Sequence, residues 1–455
     1  MIDLKALRSD PVAQRRLIDE AIRAALKAAD PREAIYRRVQ RIGGRLMVAD
    51  RAIDLRQANR VFLVSIGKAA AAMADALIDL LDEALTAGVI VTKYGHVGDW
   101  QAPGSVQVIE AGHPVPDEHS VAGARAIENL LRDATERDLL LCAISGGGSA
   151  LVTLPAEGIS LADLQATTDV LLRSGATIHQ LNAVRKRLDR IKGGGLVRLS
   201  GGASTLALIL SDVIGDDLSV IASGPTAFDP STFADAWRVI EEFDLADRLP
   251  ESVRAHLQAG LRAAPASSTE PFERVQNVIV GSNRVAAEAA EAFARSQGFN
   301  TLLLTTFLQG EAREVGKVAA AIAREIHAVD RPVARPACVI AGGETTVTVR
   351  GPGTGGRNQE LALSAAFGIE GIRDTWIAAL ATDGGDGPTG AAGAIVNGEF
   401  MAQARAARID AAKYLAENDS YTFFRDLAGH TVSAGLIVTG PTGTNVNDLL
   451  LLFMF

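Results

Sequence analysis

The feature that most constrains this chain is a pattern repeated along it: a short, wholly apolar run, a glycine turn, then a helical stretch. In VFLVSIGKAAAAMADALIDLL the apolar residues Val61–Val64 predict a buried strand, Gly67 the turn, and the Ala-rich segment 69–81 a helix. Similar units follow at 88–92, 106–110, 138–145 and 205–210, making five strand-to-loop units before residue 230, most with a helix after them. Parallel strands joined by crossover helices predict a doubly wound, three-layer Rossmann-like domain. Its ligand crevice would lie at the carboxyl ends of the strands, where helix N-termini leave N–H groups free for an anion.

At 455 residues the chain exceeds what one hydrophobic core serves, and a second domain is expected. Residues 1–265 read as the N-terminal domain and 266–455 as a smaller C-terminal α/β domain. AAPASSTEP (263–271) is the best linker, and a second strand–helix set begins at 275–280. Segment 3–50 reads as two amphipathic helices covering the first sheet, 344–350 alternates as an edge strand would, and 448–453 as an apolar final strand. A net charge of −9 argues against a nucleic acid or an anionic membrane as partner, so an anionic ligand must be held by local cations. Cys142 and Cys338 sit inside apolar runs and read as core thiols of a reducing compartment. With no signal-type apolar region and no run of the roughly 18 apolar residues that a membrane span requires, the expected location is cytoplasmic.

Several loops carry residues suited to chemistry. Lys68 follows the first strand and can add a point charge to an anion at the helix start. ISGGGSA offers Gly146, Gly147 and Gly148 for close approach to a phosphate, with Ser145 and Ser149 as hydroxyl donors. It is neither a Walker A loop nor a dinucleotide fingerprint, since Leu151 stands where the third glycine would be. GPGTGGRNQE presents Gly355 and Gly356 ahead of Arg357, whose planar fork can take two oxygens of a carboxylate or phosphate. Asp383 and Asp386 in TDGGDGPTG, and Asp212 in SDVIGDD, are candidate ligands of a hard divalent cation, although DG pairs also form plain turns. In HQLNAVRKRLDRIKGG the cations cannot all face one ligand, and most should be a solvated face; Lys192, beside the glycine stop, is the one to watch. His113 in GHPVP reads more as a loop residue than a base. None of the seven histidines has zinc-ligand spacing, and no GxSxG elbow occurs.

Taken together and in order, SIGKA, AGHPVPDEHS, ISGGGSA, HQLNAVRKRLDRIKGG, LILSDVIGDD, ASGPT, GGRNQE and ATDGGDGPT resemble the glycerate 2-kinases of the MOFRL type over nearly the whole chain. The resemblance implies a larger Rossmann-like domain and a smaller α/β domain with a cleft between them. It also implies ATP-dependent phosphorylation of D-glycerate at the 2-hydroxyl, with a divalent metal, usually Mg²⁺. It makes Lys68 and Arg357 the catalytic cations; Gly67 with 145–149, 355 and 356 would then serve nucleotide phosphates. Lys192 and Asn358 would join Arg357 at the substrate, and Asp212, Asp383 or Asp386 would hold the metal. A monomer or homodimer is expected. Some relatives carry the name hydroxypyruvate reductase, yet no place for a nicotinamide is found. An NAD(P)H-dependent hydroxypyruvate reductase and a non-catalytic sugar-acid or nucleotide sensor are the alternatives.

Overall fold

The computed structural model describes residues 10–49, 51–263, 270–430 and 435–455. The chain forms two compact units, Pro31–Val280 and a second that joins the opening segment, through Asp30, to Gly281–Phe455.

The first unit begins with a three-stranded antiparallel meander, β1 (Val39–Ile42), β2 (Arg45–Val48) and β3 (Arg51–Asp54), where a second helix was expected to run on to residue 50. That helix covers only Pro31–Arg38. The main sheet contains β4 (Val61–Ile66), β5 (Ala87–Lys93), β6 (Val106–Ala111), β7 (Leu139–Ile144), β8 (Ser204–Leu210) and β9 (Val275–Gly281), in the order β6-β5-β4-β7-β8-β9. Strands β4 to β8 pair in parallel throughout. From β4 the chain winds outward to β5 and β6, then returns past β4 to β7 and β8. The direction of winding therefore reverses between β4 and β7, and right-handed crossovers place helices on both faces. Every residue of β4 and β7 is buried, as strands covered on both faces require. The segment at 275–280 closes this sheet and does not open the second one.

The second unit has a mixed sheet of β10 (Asn300–Leu308), β11 (Ala337–Gly343), β12 (Thr375–Ala381), β13 (Gly393–Asn397), β14 (Gly435–Ile437) and β15 (Asp448–Met454), ordered β10-β11-β15-β12-β13-β14. Only β10 and β11 are parallel. The last strand lies between β11 and β12 with every residue buried. The alternating segment 344–350 makes one isolated bridge, Thr346 to Glu311, and no strand, because no neighbour pairs along it.

The opening helix, Pro11–Ala29, was expected to cover the first sheet. It packs instead on the helix Asn283–Ser296 of the second unit, laying Leu17, Ile18, Ala21, Ile22 and Ala25 against a face made of Ala286, Ala287, Ala290 and Ala294. Small residues there let the two backbones approach closely. Gln14 then donates to Asp374 and accepts from the Trp376 indole at 2.7 Å. The first expected boundary, near residue 265, and most of the expected linker lie at 264–269, outside the described residues.

Candidate functional site

In the unit Pro31–Val280 the loops at the carboxyl ends of β4 to β8 meet at the switch between β4 and β7. Lys68 lies on the turn before the helix Ala70–Leu81. Its backbone N–H donates to Gly146 O at 2.9 Å, and the next N–H, of Ala69, donates to Ser145 Oγ at 3.0 Å. The β4 and β7 loops are thus stitched together, which leaves the Lys68 side chain to project from a fixed base. Among the described residues its ammonium has no ion pair and no hydrogen bond.

Around that lysine stand a carboxylate and an imidazole. A methyl on Gly146 would come 1.9 Å from Asp212 Oδ2, so only glycine lets the β7 loop run against the carboxylate at the end of β8. Burial raises the affinity of Asp212 for a proton, and the Lys68 charge opposes this. His113, after β6, lies near Lys68: a Cβ built on Gly147 would be 3.2 Å from His113 Nε2 and 3.2 Å from Lys68 Cε. Burial, with the charges of Lys68 and Lys93 and a contribution from His96, pushes the His113 imidazole down to about 4, so it is neutral at physiological pH.

The floor of the site is built from ASGPT. Ala222 and Ser223 both have left-handed backbones, φ 49° and 60°, a conformation that costs on the order of 1 kcal/mol or more for residues with a Cβ. Ser223 Oγ lies 2.6 Å from Ser149 Oγ and donates to Asn182 Oδ1 at 3.2 Å. Ser149 of the glycine loop is thereby tied to the helix Ile178–Arg187.

In the second unit Arg357 opens the helix Arg357–Gly368. Its Nε donates to Asp448 Oδ2 at 2.5 Å and its Nη2 to Oδ1 at 2.8 Å, while Nη1 is 3.2 Å from Glu344. Burial alone would lower the guanidinium; the hydrogen bonds and charge of Asp448 outweigh it and hold the group above its ordinary value. Asp386 accepts from the N–H groups of Asn358 at 3.1 Å and Gln359 at 2.9 Å, so a distant carboxylate caps this helix. Burial raises Asp386 to about 6 despite those bonds.

Two family models match the chain: a domain of unknown function, DUF4147, over residues 17–258, and the MOFRL family over 337–448. Glycerate 2-kinase of Pyrococcus horikoshii is 44% identical over 96% of this chain and 95% of its own length. The crystal structure of glycerate kinase from Thermotoga maritima superposes with a TM-score of 0.87 at 40% identity, covering 97% of this chain and 100% of that one. The chain belongs to the MOFRL-type glycerate kinase family. A protein of Agrobacterium vitis with the provisional name hydroxypyruvate reductase is also 40% identical, over 96% of this chain and 94% of its own length.

Within this glycerate kinase family member the expected site residues divide into two sets. Lys68, Gly67, Gly146, Gly147, Gly148, Ser149 and Asp212 come together at the strand ends of one sheet. Ser145 is fully buried and serves as the stitch to Ala69. Lys192 is likewise buried: it pairs with Asp189 and donates to Val152 O and Thr153 Oγ1, so its ammonium is already engaged within the core. In the other unit Gly355 and Gly356 are small because the chain itself crowds them; a Cβ on Gly356 would lie 2.2 Å from Asp386 Cγ. Asn358 is buried, with its Nδ2 on Asp386. Asp386 is consumed as a helix cap, and Asp383 accepts from Gly385 N–H in an exposed turn. Among the described residues no three His, Cys, Asp or Glu side chains are grouped to hold a metal. Sequence reasoning named His113 but read it as a loop residue, and passed over Ser223 and Asn182, whose signals were only their places in a strand-end loop and on one helix face.

Proposed function

We infer that this chain transfers the γ-phosphoryl of ATP to the 2-hydroxyl of D-glycerate. The observation that carries this reading is the unpaired Lys68 ammonium held at the switch point beside Asp212 and the glycine loop. Phosphoryl transfer needs positioning and neutralised charge more than covalent chemistry. Lys68 would stabilise the moving phosphoryl from a backbone fixed by two loop-to-loop hydrogen bonds. The backbone of 146–148 offers a close, side-chain-free surface for nucleotide phosphates. Asp212 fits a divalent cation in the manner of Mg²⁺, one carboxylate supplemented by phosphate oxygens; when bound, such an ion would neutralise phosphate charge. Neutral His113 would be available to accept a proton beside Lys68. Arg357 keeps its fork on Asp448, and an anion would reach it only at the Nη1 edge, in exchange for Glu344.

The test is an assay with ATP, Mg²⁺ and D-glycerate that reads ADP and the position of phosphate on the product. ADP formation with phosphate on O2 is expected. Phosphate on O3, or NADH consumption with hydroxypyruvate and no nucleotide requirement, would overturn the reading.

A further inference from the structure

The segment HQLNAVRKRLDRIKGG carries five cations between residues 185 and 192, and the structure accounts for four of them. Lys186 and Arg187 both pair with Asp229, Arg190 with Glu128, and Lys192 with Asp189. Arg185 has no hydrogen bond and no ion pair to its guanidinium among the described residues. It is not a solvated surface arginine either: it is only partly exposed, and burial holds it below its ordinary value, with Asp189 offsetting part of the effect. A cation held partly away from water with no hydrogen-bonded partner is costly, and an arriving anion would relieve that cost.

Its place on the helix says where that anion would be. Asn182, one turn earlier on the same face, bonds Ser223 and through it Ser149. Asp189, just beyond the end of the helix at Arg187, holds Lys192, whose Nζ also reaches Val152 O and Thr153 Oγ1. Asn182 before Arg185 and Asp189 after the helix end thus hold the segment 149–153 through Ser223 and Lys192, and that segment continues the glycine loop beside Lys68. Arg357, the other candidate fork, already holds Asp448.

We propose that Arg185 receives the carboxylate of the acceptor, pairing its two oxygens and so setting the 2-hydroxyl toward the phosphoryl held at Lys68. This rests on the glycerate kinase reading. The same fork could in principle take a nucleotide phosphate, and the kinetic constants separate the two sources.

The experiment compares wild-type protein with Arg185→Gln and Arg185→Lys, measuring KM and kcat for D-glycerate and ATP separately, with a thermal melt of each variant. For Arg185→Gln the expected result is a rise of about 100-fold or more in the KM for glycerate, an ATP KM within threefold of wild type, and a similar collapse in the preference for glycerate over glycerol. Arg185→Lys, which keeps the charge and the bulk but loses the fork, should fold and fall between the two. A glycerate KM within threefold of wild type in both variants, or a rise confined to the ATP KM, would overturn the proposal. If wild-type protein itself does not phosphorylate glycerate, the functional reading fails instead, and calorimetric titration of D-glycerate into wild type and variants still decides whether Arg185 binds a carboxylate.

Discussion

At the scale of residues, the site is defined by which charges are spent and which are kept. Arg357, Lys192 and Asp386 looked equivalent to Lys68 and Asp212 in the sequence, but each is committed to another part of its own unit. For Arg357 and Asp386 nothing local announces this, because the Arg357–Asp448 and Asp386–Gln359 contacts join residues 91 and 27 positions apart, whereas the partner of Lys192, Asp189, is only three positions away. His113 gives a direct check of the electrostatics. Its folded-state value, about 4, is below the ordinary 6.5, so between those values the unfolded chain binds more protons. The contribution of this group to stability is therefore present above about pH 6.5 and is lost as pH falls toward 4. An NMR titration of the imidazole should show a midpoint well below 6.5, and His113→Gln should remove part of the acid-side loss of stability. A midpoint near 6.5 would mean that the ring is not packed beside Lys68.

At the scale of elements, the opening helix gives a second prediction. Ile18 is completely buried against the helix Asn283–Ser296, on a stripe of alanines with no bulk to fill a gap. Ile18→Ala should cost about 2–5 kcal/mol, read from denaturant unfolding followed by tryptophan fluorescence, since Trp376 bonds Gln14 of the same helix. A change below about 0.5 kcal/mol would place the helix elsewhere. Which elements could be read in advance follows from physics. Strands β4, β7 and β15 are nearly continuous apolar runs, as buried central strands must be. The β1–β3 meander was missed because its four-residue strands carry arginines that continue the charge pattern of the preceding helix. Segment 344–350 has the alternation of a strand but no partner to pair with, and β9 joins its sheet from across a linker that seemed to end the domain.

At the scale of the whole molecule, a chain of net charge −9 handling two anionic substrates works against its own field. What overcomes that field has to be local, and the unit Pro31–Val280 holds an unpaired lysine fixed at the reversal of its sheet. The parallel α/β fold of the first sheet was legible from strand, glycine and helix, whereas the division of the chain was not, since the opening helix joins the second unit and β9 the first. The partner that occupies Arg357 was not legible either, because Asp448 is brought to it by tertiary packing. The most direct measurement of the central claim is the kcat of Lys68→Met at saturating ATP and D-glycerate, with the melting temperature as a control. Loss of a charge stabiliser acting in the transition state predicts a fall of about 10²- to 10³-fold with the fold intact; a variant that keeps kcat within threefold of wild type would contradict it.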